Sequence, residues 1–290
     1  MTQVGRFVVG RGSVPKVMGI INVSPESFFK GSVRTSNEQI AEAAGQMERD
    51  GAHIIDIGAM STAPYLDTLI PVEQEASRLA SAIRVVKNSC DLPVSADTPR
   101  AEAAKAAIAA GADMINDVTG LKYDAMMAAV VAKARVKTIV CAYSSSQTSG
   151  AISGIVGTIK ESMRIAKKSG IRDDDIIIDP SIGFFRAEGR NPFFTKMVDM
   201  PWYVRDIQTI SQLAKLKSLK MPICVSASRK SFIGHLLNLG DPEDRLAPSI
   251  ASEIVAAQNG ASLLRSHNVR ETVQALTMIE LLGEKNTKRL

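Results

Sequence analysis

Cysteine is scarce: Cys90, Cys141 and Cys224 are the whole complement in 290 residues. Three widely spaced thiols make neither a CxxC pair nor a disulfide framework, and a reducing compartment is expected. Aromatic residues amount to only 4% and no basic stripe is interleaved with them, which speaks against nucleic-acid binding. No run of 18 apolar residues occurs, and the first residues lack the apolar core of a signal peptide. A soluble, cytoplasmic protein is therefore expected. There is no GxxxxGK[ST] loop, no GxGxxG after a strand and no GxSxG elbow, and His53, His235 and His267 lack zinc-ligand spacing. These absences argue against P-loop and dinucleotide folds, a serine hydrolase and a zinc site.

What is present suits a packed core. The chain is 45% hydrophobic and 22% charged, with a net charge of +5, an ordinary balance for a globular protein whose modest excess of cations suits anionic small molecules. Short apolar runs read as buried strands: Val17–Val23, His53–Ile57, Pro93–Ala96, Met114–Val118, Lys137–Ala142, Ile176–Ile178, Pro222–Val225 and Ser262–Leu264. Arg6–Gly10 reads as a further short strand. Helices are expected over Asn37–Asp50 with Ser36 as N-cap, then over Val72–Asn88, Pro99–Ala110, Asp124–Ala134, Ile155–Ser169, Arg205–Leu219, Pro248–Asn259 and Val269–Leu282. The passage from Ile178 to Trp202 reads as irregular. Asp50-Gly-Ala52, Ala110-Gly-Ala112 and Asn259-Gly-Ala261 repeat one helix-ending signature. Eight strand-then-helix units predict the α/β class and a closed (β/α)8 TIM barrel. A single domain is expected over residues 1–290, with its core at about 17–282.

A barrel places chemistry at the C-terminal ends of its strands. Those ends carry Asn22, Asp56, Asp97, Asn116 and Asp179, then Ser226 leading into Ser228-Arg-Lys-Ser-Phe-Ile-Gly234, then Arg265 with His267. Only Cys141-Ala-Tyr143 offers no charge. Each residue has an ordinary structural alternative. The three aspartates could cap helices, Asn116-Asp117 could be turn residues, and His267 could be a packed histidine. The basic string could be a solvated loop. Convergence on one rim favours a site. Asp and Asn side chains read the donor–acceptor edge of a guanidine-like heterocycle, while Arg, Lys and His meet a phosphate.

Met18-Gly-Ile-Ile-Asn-Val-Ser-Pro-Glu-Ser-Phe28 resembles the opening signature of the dihydropteroate synthases. Ile54-Ile-Asp-Ile-Gly58 with Ser61-Thr-Ala-Pro64 is similar to their second signature. Ser95-Ala-Asp-Thr98, Ile115-Asn-Asp-Val118, Asp179-Pro-Ser-Ile-Gly-Phe184, Ser228–Gly234 and Arg265-Ser-His267 match later ones in order. The resemblance implies condensation of 6-hydroxymethyl-7,8-dihydropterin diphosphate with an arylamine and release of pyrophosphate. It implies that Asp97, Asn116, Asp179 and Lys230 hold the pterin, with Asp97 and Lys230 catalytic. Asn22, Thr62, Arg265 and His267 would hold the diphosphate, Asn22 also Mg²⁺, and Phe28, Phe184 and Ser231 would lie by the arylamine. A homodimer is implied as well.

The chain departs from the family pattern in places. Ala63 stands where the family has an arginine that contributes to the diphosphate site, which removes a bidentate phosphate partner. Cys141-Ala-Tyr143 replaces a Met-His-Met type, and Phe185-Arg186 replaces Gly-Lys; Lys30, Arg34 or Arg186 could restore the lost charge. The expectation is a divergent synthase taking 4-aminobenzoate or a ribosylated aminobenzene phosphate. The alternatives are a methyltransferase passing a methyl group from a reduced pterin to a corrinoid protein, and a non-catalytic pterin-binding protein. Lys230, Arg265 and His267 weigh against methyl transfer, which has no pyrophosphate to hold. Arg229 has no readable role.

Overall fold

The computed structural model describes residues 1–10, 12, 14–25 and 29–283; Phe28, expected beside the arylamine, lies outside the described residues. An antiparallel hairpin, β1 (Thr2–Val4) and β2 (Phe7–Val9), opens the chain. Eight parallel strands follow: β3 (Lys16–Asn22), β4 (Ile54–Gly58), β5 (Val94–Asp97), β6 (Met114–Asp117), β7 (Lys137–Cys141), β8 (Ile176–Asp179), β11 (Cys224–Val225) and β12 (Leu263–Ser266). Between β8 and β11 lies a small parallel ribbon of β9 (Phe185–Arg186) and β10 (Thr195–Lys196). The eight-stranded sheet runs β11-β12-β3-β4-β5-β6-β7-β8. A parallel bridge between Ile178 and Ile223 joins its two edges and closes the barrel.

The surrounding helices are α1 (Asn37–Arg49), α2 (Val72–Ser89), α3 (Ala101–Ala109), α4 (Met127–Ala134), α5 (Ile152–Lys168), α6 (Trp202–Ser211), α7 (Ser231–Leu237), α8 (Leu246–Gln258) and α9 (Val269–Leu282). Ser36 caps α1 in a full capping box with Gln39. The three Gly-Ala endings are one device. Gly51, Gly111 and Gly260 have φ of +93°, +108° and +111°, and the following alanine N–H reaches back to Met47, Ala107 and Ala256. That is the Schellman closure, which only a residue tolerant of left-handed φ completes without strain. Two expectations need correction. The helix expected over 205–219 breaks at Gln212 and continues as 3-10 turns over Leu213–Leu219. The basic string is not all loop, because its second half opens α7.

Strand alternation sorts every barrel residue. Outward Val17, Ile21, Ile55, Ile57, Val94, Ala96, Ile115, Val140, Ile178, Val225 and Leu264 join the large cluster under the helices. Inward Met18, Ile54, Met114, Ile139, Ile177, Cys224 and Leu263 fill the lower barrel with Val4 and Val9 of the hairpin, which plugs its base. Two residues further along most strands, the inward position turns polar. Apolar filling below and polar groups above give the barrel one open, reactive end.

Candidate active site

That polar layer holds Asn22, Asp56, Asp97, Asn116, Asp179, Ser226 and Arg265. All except Asp56 line one cleft, of about 860 Å³ with its open mouth, together with Thr62, Cys141, Phe184, Lys230, Ser231 and His267. Every expected site residue within the described chain is thus brought to one place.

Neighbouring residues in the motifs have opposite fates, and alternation explains them. Asn116 points inward, and Cys141 Sγ lies 3.9 Å from its Oδ1. Asp117 points outward and is spent on the next turn, accepting from Thr119 N at 2.8 Å, Thr119 Oγ1 at 2.6 Å and Leu121 N at 2.7 Å. Arg229 and Lys230 divide in the same way. Arg229 takes a φ of +57°, and its guanidinium turns away to Asn268 Oδ1 and the carbonyls of Pro242 and Glu243, at 2.6–3.0 Å. Its amide donates to Ser249 Oγ at 2.8 Å. So Arg229 is a buried staple, and the turn it makes aims Lys230 into the cleft. Lys230 Nζ lies 4.6 Å from the centre of the Phe184 ring. Gly183, with φ +89°, makes room for the lysine stem, since a Cβ there would sit 3.3 Å from Lys230 Cδ.

Below them lies a three-residue ion network. Arg265 Nε donates to Asp56 Oδ2 at 2.6 Å, and its Nη2 donates to Asp97 Oδ2 at 2.8 Å. Asn116 Nδ2 also donates to Asp56 Oδ2, at 3.3 Å. Asp56 is completely buried, and among the described residues its Oδ1 has no hydrogen-bond partner. Sequence reasoning saw Asp56 at a strand end but gave it no role; its parity with Ile54 on β4 was the available signal.

Electrostatics follow from this crowding. Burial pushes the Asp97 carboxyl up to about 7, with Arg265 opposing and Asp56 adding to the rise. Burial raises the Asp179 carboxyl too, against the Ser181 N–H and Lys230. The Lys230 amine is pulled down to about 8, by burial first and then by Arg265. Burial works against charge on Arg265, but Asp56 and Asp97 outweigh it and hold the guanidinium more firmly protonated than usual. His267 is held well below its usual range by burial and by Arg265, Lys230 and Arg229, so its imidazole is neutral at neutral pH. Its Nδ1 lies 3.1 Å from Ser228 Oγ.

The loop after β8 is fixed from behind by a pair the sequence did not reveal. Arg205, fully buried on α6, donates to Ser181 O at 2.8 Å and to Asp206 Oδ1 at 3.1 Å. Asp206 Oδ1 accepts from Gly183 N at 3.0 Å. Arg186 stacks on Trp202, 3.9 Å from the ring centre, and donates to Ser231 Oγ at 2.8 Å. It stands behind the cleft wall and backs up Ser231. Arg34 is drawn to the carbonyls of Gly31 and Val33.

A floor of paired carboxylates, an amide and a lysine, under a rim with an arginine and a histidine, can grip a flat polar heterocycle and an anion together. The family described as pterin binding enzyme matches residues 18–267. The dihydropteroate synthase of Clostridium beijerinckii is 33% identical over 282 residues, covering 97% of this chain and 98% of its own. The dihydropteroate synthase of Clostridium difficile, solved in the presence of pteroic acid, superposes with a TM-score of 0.81 at 30% identity, covering 95% of this chain and 98% of its own. That of Xanthomonas albilineans, in complex with 7,8-dihydropteroate, gives 0.75 at 31% identity and 92% of each chain. With a full-length match in sequence, barrel and rim, the chain belongs to the pterin-binding enzyme family, among the dihydropteroate synthases.

Proposed function

We propose that the chain condenses 6-hydroxymethyl-7,8-dihydropterin diphosphate with an arylamine, 4-aminobenzoate or a ribosylated aminobenzene phosphate, and releases pyrophosphate. The carrying observation is that Asp97, Asn116, Asp179 and Lys230 share the floor of one cleft. Asn22, Thr62, Arg265 and His267 stand at the exits of β12, β3 and β4, and Phe184 and Ser231 at those of β8 and β11. The floor would read the aminopyrimidinone edge and the first rim would hold the diphosphate. The second rim would place the arylamine. The 7,8-dihydropteroate held by the Xanthomonas albilineans relative, and the pteroic acid present with that of Clostridium difficile, support this reading.

In the reaction the bond from the exocyclic methylene to the diphosphate oxygen breaks, and its electron pair leaves with pyrophosphate. The arylamine nitrogen supplies the pair for the new C–N bond and then loses its proton to solvent. The pterin carries positive charge as the C–O bond opens, and Asp97, ionised above about pH 7, stabilises it through a fixed charge. Arg265 uses two of its five donors on Asp56 and Asp97, which leaves three for the leaving group. Neutral His267 adds a hydrogen bond, not a charge. Ser231 Oγ already accepts from Arg186, so its own hydrogen is available for an anionic substituent on the arylamine.

Among the described residues no three His, Cys, Asp or Glu side chains cluster to cage a metal. Asn22 Nδ2 donates to Ser32 Oγ at 2.6 Å, and its Oδ1 lies beside Gly58, where a Cβ would press on it at 3.2 Å. One amide oxygen fits Mg²⁺, which keeps several waters and takes its remaining ligands from substrate phosphates. Bound there, the ion would neutralise diphosphate charge. A homodimer completes this reading, carried by the family resemblance. The test is pyrophosphate release by purified protein from the pterin diphosphate with a panel of arylamines. Absence of release with both proposed amines, in Mg²⁺, would sink the reading; methyl transfer to a corrinoid protein would replace it.

A further inference from the structure

β8 does not lead directly to its helix. Residues 187–194 make an excursion between β9 and β10 and reach across the barrel mouth to the exit of β4. Asn191 Nδ2 donates to Ala63 O at 2.7 Å and to Leu66 O at 3.1 Å, while its Oδ1 accepts from Phe193 N at 3.0 Å. Beside it, Arg190 N donates to Pro64 O at 2.7 Å. Asn191 is 6% exposed, so both of its N–H donors are used up on carbonyls from a loop more than 120 residues away. Phe193, 1% exposed, packs with Met60, Val118 and Phe184, and Tyr143 Oη donates to Pro192 O at 3.0 Å. The excursion is therefore a strap behind one wall of the cleft, tied to the exits of β4, β6 and β7.

The strap grips backbone that the cleft uses directly. Ala63, Pro64 and Tyr65 line the cleft beside Phe184 and Ser231. Ala63 offers a ligand no side-chain donor, so whatever fixes this wall must act from behind it. Without the Asn191 amide, Leu66 O loses the donor that Asn191 gives it, and Ala63 O keeps only its turn contact from Leu66 N at 3.0 Å. The segment is then held on this side by backbone contacts alone, chief among them Arg190 N to Pro64 O. The pterin-floor residues Asp97, Asn116 and Asp179 sit on strands and are not among the groups Asn191 holds. We infer that Asn191 is a positioning residue for the acceptor half of the cleft: by clamping the Ala63 and Leu66 carbonyls it sets the wall against which the arylamine ring is placed. This rests on the synthase reading above.

The test uses the full chain with Asn191→Asp, Asn191→Ala and Asn191→Gln. Aspartate keeps the acceptor for Phe193 N–H but has no donor for the two carbonyls; glutamine keeps both donors on a longer stem. The arylamine KM should rise about ten-fold in the Asp and Ala variants, the loss expected for a pair of buried hydrogen bonds. The kcat, and the dissociation constant of the pterin diphosphate by calorimetry, should stay within about two-fold, and Gln should recover part of the loss. Amide hydrogen exchange in residues 63–69 of the free protein should speed up in the Asp and Ala variants. Parallel losses in pterin affinity and arylamine KM, or a lower Tm with the kinetic constants intact, would overturn the assignment. If the wild type turns over no arylamine, the synthase reading falls separately. Exchange then decides the clamp: faster exchange at 63–69 upholds it, and unchanged exchange in Asn191→Asp rejects it.

Discussion

Asp56→Asn tests the electrostatic logic of the cleft at a residue proposed to touch neither substrate. Asp56 and Asp97 share one guanidinium, through contacts of 2.6 Å and 2.8 Å. Two carboxylates bridged in this way lie on the order of 6 Å apart, so at an effective dielectric of about 20 their repulsion is on the order of 3 kcal/mol, or about two pKa units. The asparagine removes that repulsion and lets Arg265 act more fully on Asp97. Both effects lower the Asp97 pKa from about 7. The asparagine oxygen can still accept from Arg265 Nε, so the geometry survives. The assay is the pH dependence of kcat/KM for the pterin diphosphate, which reports groups of the free enzyme and substrate. Substrate ionisations are common to both proteins and cancel in the comparison. In the wild type the acid limb should lie near pH 7, because protonated Asp97 cannot stabilise the pterin cation, and in Asp56→Asn it should move down by about one to two units. Pterin binding by calorimetry across the same range should shift in step. An unmoved limb, or one that moves upward, would refute the assignment of that titration to Asp97 under the influence of Asp56.

Other consequences follow from single contacts. Lys230→Ala should weaken pterin binding about 10- to 150-fold, the range for hydrogen bonds from a charged group, and calorimetry showing unchanged affinity would remove Lys230 from the pterin floor. Gly183→Ala should lower stability by about 1–2 kcal/mol through its left-handed φ. It should also weaken pterin binding, because the new Cβ crowds Lys230 Cδ; denaturant melts and calorimetry check both. Glu253, completely buried on α8, is pushed up to about 7 chiefly by burial, with hydrogen bonds from Thr272 and Ser266 opposing the rise. The unfolded carboxyl ionises near pH 4.5 and the folded one near pH 7, so between them the folded state binds more protons and stability falls as pH rises, by about 3 kcal/mol in all. Glu253→Gln should flatten that part of a stability-versus-pH curve, and a curve that keeps its slope would refute the attribution.

The barrel was legible in the sequence because its determinants are local. Eight apolar runs, the Gly-Ala endings and Ser36 each act within a few residues, and alternation along a strand needs no partner to be read. So Asn22, Asp97, Asn116, Asp179 and Arg265 could be placed at strand ends in advance. Where the sequence reading stopped, the deciding contact lay far away along the chain. Asn116 and Asp117 are adjacent and equally polar; the inward and outward faces exist only once the barrel closes, and that separates a cleft residue from a turn staple. Arg229 and Lys230 look alike as a basic pair until residues 242–249 and Asn268 capture the first and leave the second to the cleft. Asp56 gains its role from Arg265, 209 positions later, and Asn191 from carbonyls 128 and 125 positions earlier. The amino-acid order by itself determined which residues stand at the reactive end of the barrel. Only the tertiary structure decided which of them pair with one another and which remain for a ligand, because a charge or an amide is used up by whatever the closed fold brings within about 3 Å of it.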